Sequence, residues 1–164
     1  MVVRILLAFA LVACCVAATI ADETSAESKD DSKIESVREA NTKFYAALNS
    51  MFTGELQPMS EVWSHSADVT YLGPDGSFRQ GWKETLADWQ KQAEMKLGGK
   101  VEPQNVRITV GSELAVVHNY EVGRNTVDGK ETKVKIRATN VYRKEDGQWK
   151  MIGHHTDLLK FLEE

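Results

Sequence analysis

From residue 34 the apolar positions recur at three- and four-residue spacing. Ile34, Val37, Ala40, Phe44, Ala47, Leu48 and Met51 share one stripe, which predicts a long amphipathic helix ending near residues 49–54. A shorter helix follows, with Met59, Val62 and Trp63 on one side. The run DVTYLGPDGSFRQG then reads as a short strand, a Gly-Pro-Asp-Gly turn and a second short strand. Trp82, Leu86, Trp89, Ala93 and Leu97 place a third helix on one face, stopped by Gly98 and Gly99. Beyond it the period falls from three or four to two. Strands are predicted over 101–110, 114–126, 132–143 and 148–159, with turns at Gly111-Ser112, Asp128-Gly129 and Asp146-Gly147. Helices first and strands last make an α+β domain.

Alternation assigns the faces of those strands. Val134, Ile136, Ala138, Asn140 and Tyr142 share the side expected to meet the helices, and Lys133, Lys135, Arg137, Thr139 and Arg143 share the other. A three-residue loop at Glu145-Asp146-Gly147 would pair Lys144 with Gln148. Asn140 then faces Ile152, Ala138 faces His154, Ile136 faces Thr156, and Arg137 meets His155 beside Trp149 and Met151. On the preceding strand, Leu114, Val116, His118 and Tyr120 are the more apolar set and are assigned inward, which turns Glu121 outward. The inner face then carries His118, Tyr120, Asn140, His154 and Thr156 among aliphatic residues. A buried polar group without a partner costs ~1–3 kcal/mol, so several together predict a pocket rather than a dry core.

The candidate ligand-binding residues are therefore His118, Tyr120, Asn140 and His154, with Trp63, Tyr71 and Trp89 as apolar walls. His118 and His154 are the candidate acid–base groups, since histidine titrates near neutral pH, with Asp68, Glu121 and Asp157 as neighbouring carboxylates. The outer face carries Arg137, Thr139, Val141, Trp149, Met151 and His155. It is too apolar to stand in water and is expected to form a homodimer.

Composition narrows the rest. The chain has 164 residues, enough for one domain with extensions, and a formal net charge of −4. It has no basic block, which argues against nucleic acid as a partner. Residues 1–21 read as a signal peptide: Arg4, an apolar run, then small residues ahead of Asp22. The run falls short of the ~20 residues that span a bilayer. The expectation is a secreted or periplasmic protein. Leu11-Val12-Ala13-Cys14 also resembles a bacterial lipobox, and the alternative is a lipoprotein anchored through Cys14. Residues 22–33 are almost wholly polar and are expected to be a disordered linker, with the domain over 34–164. Cys14 and Cys15 both lie in the leader, so cleavage leaves no cysteine for a disulfide, a thiolate metal site or a nucleophile. There is no nucleophile elbow, phosphate-cradling loop or dinucleotide fingerprint. His154 and His155 alternate across a strand and cannot ligate one ion there. No metal and no cofactor are expected.

Two stretches carry a family resemblance. FYAALNSMFTGELQPMSEVWSHSADVTYLGPDG resembles the opening of SnoaL-like domains, and TNVYRKEDGQWKMIGHHT resembles their closing hairpin. The second is similar also to the association domain of calcium/calmodulin-dependent protein kinase II, through Thr139, Val141, Asp146, Gly147, Trp149 and His155. The resemblance spans residues 34–157. It implies the cone-shaped nuclear transport factor 2-like fold, three N-terminal helices packed on a strongly bent antiparallel sheet. That fold hosts isomerases, dehydratases, cyclases, binding modules and assembly hubs, so it does not fix a function. Where the kinase domain reads a carboxylate with pocket arginines, this chain has Tyr120, Asn140 and Thr156, which disfavours a strongly anionic ligand. Where ketosteroid isomerase keeps its two pocket aspartates, it has Leu72 and Ile136, and only Tyr45 or Phe44 matches near the pocket tyrosine. Steroid isomerase activity is not expected. The reading is an exported homodimer holding a small, mostly apolar molecule. The alternatives are a lyase or isomerase with a pocket histidine as general base, and a pure oligomerisation module.

Overall fold

The computed structural model describes residues 9–127 and 129–158, with side chains from Asp30 onward. The elements are α1 (Phe9–Met51), α2 (Gln57–Val62), β1 (Thr70–Leu72), β2 (Phe78–Gln80), α3 (Trp82–Met95), β3 (Lys100–Val110), β4 (Leu114–Val127), β5 (Lys130–Glu145) and β6 (Gln148–Leu158). The chain divides into two compact units, residues 1–35 and 36–164. The first unit holds the start of α1. The expected signal segment, with Cys14, lies outside the residues whose side chains are described. Residues 22–33, expected as a disordered linker, fall within the bounds of α1. Among the described residues no helix is long and apolar enough to cross a membrane.

The second unit is an α+β domain whose strands form one strongly curved, open sheet in the order β2-β1-β6-β5-β4-β3. The expected antiparallel sheet is in fact mixed. β1 runs parallel to β6, pairing Tyr71 with His154, while the other neighbours are antiparallel. The core lies between the helices and the inner sheet face, where Phe44, Met51, Met59, Trp63, Trp89, Val117, Tyr142 and Met151 are buried. The stripe expected on α1 is the buried one, from Val37 to Met51. Asn49 ties that helix to β3, donating to the Val101 carbonyl at 2.9 Å and accepting from the Val101 amide at 2.8 Å. Gly123 lets β3 and β4 close up, since a Cβ there would stand 1.9 Å from the Lys100 carbonyl oxygen.

Two local features decide which side chains face inward. The β5–β6 turn has two residues, not three. Glu145 pairs with Gln148, and Asp146 and Gly147 take positive φ of 49° and 79°, the signature of a type I′ turn. Further along, the register shifts between Val141 and Tyr142, which pair with Gly153 and Met151. Ile152 is the extra residue of a β-bulge. The bulge breaks the alternation, so Met151 faces inward and so do His154 and Thr156. His154 therefore pairs with Asn140, Thr156 with Ala138, and His155 with Thr139. Met151 is in the core, and Trp149 donates from Nε1 to Ser36 on α1 at 2.9 Å. Neither belongs to the outer face where strict alternation put them.

The second correction concerns β4. Ala115, Val117, Asn119 and Glu121 face inward, while His118 is exposed and Tyr120 half-buried on the outer side. Both faces of this strand carry apolar residues, so alternation alone could not choose. α1 brings Tyr45 within hydrogen-bond reach of Glu121 and Asn119, and the smaller set is the one that fits.

Candidate functional site

Between α1, α3 and the inner sheet is a cavity of about 780 Å³. Leu48, Phe52, Leu97, Val101, Val134 and Ile136 make most of its wall apolar, and Tyr71 and Trp89 add two aromatic faces. The polar groups on this wall include Glu121, His154, Asn125, Gln92 and Thr156.

Glu121 and His154 are the centre of the site. They are 4 % and 3 % exposed, and the imidazole Nε2 lies 3.6 Å from the carboxyl Oε1. The Tyr45 hydroxyl donates to the same Oε1 at 3.0 Å and accepts from Asn119 Nδ2 at 2.7 Å. On the far side of the ring, His154 Nδ1 lies 2.6 Å from Asn140 Oδ1. Asn140 Nδ2 donates to Asn41 Oδ1 at 2.9 Å, and the Tyr142 hydroxyl donates to that oxygen at 3.0 Å. The imidazole packs against rings, with centroids 4.8 Å from Phe44, 5.9 Å from Tyr71 and 6.1 Å from Trp89.

This environment resists charge. Burial pushes the Glu121 carboxyl up to about 7, against a counter-effect from the Tyr45 hydroxyl. Burial pulls the His154 imidazole down to about 3, helped by the neighbouring His155. The separation is short enough to be counted an ion pair. A charge-assisted bond, though, is usually ~2.7–2.9 Å, so the neutral acid beside a neutral imidazole describes the pair better. Burial also raises the Tyr45, Tyr71 and Tyr142 hydroxyls above the usual phenol range. One donor on the cavity wall has no acceptor among the described residues, the Tyr71 hydroxyl, which itself accepts from Gln92 at 2.9 Å; the Trp89 indole N–H also lacks one, but its nitrogen is sealed from the cavity.

Of the residues expected in the pocket, Tyr71, Trp89 and His154 line the cavity. Asn140 stands one layer behind His154. Trp63 is buried behind Trp89, ring centroids 6.0 Å apart, and packs on Trp82. His118 and Tyr120 are on the other side of the sheet, in a shallow hollow with Arg107, Arg137, His155 and Asp157. The two candidate histidines are thus not brought together. Asp68 is exposed and paired with Arg143 at 2.7 Å, and Asp157 lies 3.4 Å from His155, so neither carboxylate reaches the cavity. Glu121, expected outside, is the carboxyl that does. Leu72 and Ile136 supply no proton-transfer group, and Glu121 enters from the neighbouring strand. Among the described residues no three His, Cys, Asp or Glu side chains gather as a metal site.

A family model for the SnoaL-like domain matches residues 37–157. The chain belongs to the SnoaL-like domain family. Its fold is shared with solved structures at low identity. A provisional dehydratase of the nuclear transport factor 2-like family from Streptomyces avermitilis is 24% identical, with a TM-score of 0.71 over 79% of this chain and 98% of that one. A provisional calcium/calmodulin-dependent protein kinase type II association domain from Thiobacillus denitrificans is 24% identical, with a TM-score of 0.64 over 74% of this chain and 93% of that one. Among curated proteins, the SnoaL-like chain is 26% identical over 119 residues to the F-box protein SKIP8 of Arabidopsis thaliana. That match takes in 73% of this chain, which spans about half (48%) of the relative's length.

Proposed function

We propose that this SnoaL-like domain is a proton-transfer enzyme, a lyase or isomerase acting on a small, mostly apolar carbonyl compound held in the inner cavity. The observation that carries the reading is Glu121: a carboxyl on an apolar cavity wall, pushed up to about 7 by burial. Near neutral pH such a group is divided between base and acid, the condition for general acid–base work. The Glu121 carboxylate takes a proton from the carbon beside the carbonyl, and the C–H electron pair moves toward the carbonyl oxygen. Tyr71 offers a donor to the negative oxygen that develops. In a lyase the proton then goes to a β-hydroxyl group, which leaves as water while the C=C bond forms. In an isomerase it returns to a different carbon. The base is Glu121 rather than the histidine expected from the sequence, because burial holds His154 down to about 3.

The test is an aryl-substituted β-hydroxy ketone, whose dehydration gives a strongly absorbing enone. The wild-type protein is expected to form enone, and Glu121→Gln to lose that activity by roughly 100-fold or more while still binding the ketone. Equal rates in the two proteins would overturn the reading. Binding of the ketone by both with no enone would favour a binding module, which the apolar wall also suits.

The same reading includes a homodimer through the outer sheet face, where Arg137, Thr139, Val141 and His155 now stand with Leu114, Val116, His118 and Tyr120. It also includes export directed by residues 1–21. The intact mass of the mature chain tests export: a chain starting at Asp22 supports signal-peptide cleavage, and a lipidated chain starting at Cys14 supports the anchor.

A further inference from the structure

The polar chain behind the cavity has a direction, and it starts at Tyr142. The Tyr142 side chain is buried, and its hydroxyl finds one hydrogen-bond partner among the described residues, Asn41 Oδ1 at 3.0 Å. A buried O–H without an acceptor is costly, so this proton belongs to that oxygen. Asn41 Oδ1 is therefore an acceptor, and the Asn140 group facing it at 2.9 Å must be the donor, Nδ2. Asn140 is fully buried and cannot turn its amide without setting two acceptors against each other. Its Oδ1 then faces His154 Nδ1 at 2.6 Å and needs a proton from it. A neutral imidazole protonated at Nδ1 has a bare lone pair at Nε2, and Nε2 is the atom 3.6 Å from Glu121 Oε1.

We propose that Asn140, aligned by Asn41 and Tyr142, is a positioning residue that fixes His154 in the Nδ1-protonated tautomer, so that His154 Nε2 turns a bare lone pair toward the Glu121 carboxyl 3.6 Å away. This deepens the proton-transfer reading of the cavity and rests on it for its catalytic meaning. The other titratable groups around the pair are Tyr45 on α1, Tyr71 on β1 and Tyr142 on β5, with His155 on the opposite face of β6 and Lys133 and Lys135 at the exposed rim of the same cavity. A lone pair at Nε2 gives the protonated carboxyl an inward partner once it has taken a proton from substrate. The opposite tautomer would set an N–H against the acid and leave its proton unplaced.

The test needs no substrate. In protein labelled with 15N-histidine, two-bond 1H–15N correlations report which ring nitrogen carries the proton. The wild-type spectrum is expected to show His154 protonated at Nδ1 and bare at Nε2 near neutral pH. Asn140→Asp, which keeps an acceptor toward Nδ1 and needs Asn41 to turn its amide and donate to the new oxygen, should retain the pattern. Asn140→Leu, which removes it, should move the proton toward Nε2 and lower enone kcat about tenfold or more with KM little changed. A wild-type His154 protonated at Nε2 would overturn the proposal without any variant having to fold, as would an Asn140→Leu protein with the wild-type pattern. The two claims fail separately. The expected tautomer together with a fully active Glu121→Gln would sink the proton-transfer reading alone. The reversed tautomer with an inactive Glu121→Gln would sink the positioning role alone.

Discussion

A carboxyl held up at about 7 and an imidazole held down at about 3 pull stability in opposite directions as pH changes. Between about 4.5 and 7 the folded chain keeps a proton on Glu121 that the unfolded chain has lost, so this term falls as pH rises. Between about 3 and 6.5 the unfolded chain binds a proton at His154 that the folded chain refuses, so that term rises with pH. Over the shared window, about 4.5 to 6.5, the two slopes cancel. Glu121→Gln removes only the falling one. Measured by urea unfolding across that range, the variant should gain on the wild type as pH rises toward 7, by on the order of 3 kcal/mol at ~1.4 kcal/mol for each pH unit. A difference independent of pH would mean that Glu121 has an ordinary carboxyl.

At the scale of elements, the β-bulge at Ile152 and the close approach at Gly123 are what shape the cavity's sheet wall. A methyl group at Gly123 would meet the Lys100 carbonyl oxygen at 1.9 Å and the Val101 Cα at 2.8 Å. Gly123→Ala should therefore cost about 1–3 kcal/mol by forcing β3 away from β4, read as a lower urea midpoint; an unchanged midpoint would contradict that packing. The same scale explains what the sequence made legible. The helical stripe from Val37 to Met51 and the inner set Ile136, Ala138, Asn140 and Tyr142 follow from periods of 3.6 and 2, because each element has one clearly more apolar face. β4 has no such face. Its outer set of Leu114, Val116, His118, Tyr120 and Val122 is larger than its inner set of Ala115, Val117, Asn119 and Glu121. Packing against Tyr45 on α1 favours the smaller set, and a single strand carries no record of its neighbour's bulk. The bulge was hidden for a related reason: it depends on how two strands register, not on either composition. His154 was still placed correctly. Reading the turn one residue too long and missing the bulge each shift the pairing by one, which keeps His154 and Asn140 on one face.

For the whole molecule, the outer face of β4 carries Leu114, Val116, His118 and Tyr120, half-buried or exposed. Leu114 is 53 % exposed, and Val116 and Val141 pair across β4 and β5 on the same outer face. A homodimer that buries this face should be disrupted by a charge at its centre. Val141→Asp is expected to turn a dimer into a monomer in sedimentation equilibrium while leaving the far-UV circular dichroism unchanged; a wild-type protein that sediments as a monomer would exclude that use of the face. The cavity lies on the other side of the sheet from this face. The proposed chemistry depends on one proton. Its most direct test is the 13C carboxyl resonance of Glu121, assigned by its loss in Glu121→Gln and followed from acid to alkaline pH. The expected result is a carboxylic acid that titrates with a midpoint of about 7. A resonance already that of an ionised carboxylate well below that midpoint would contradict it.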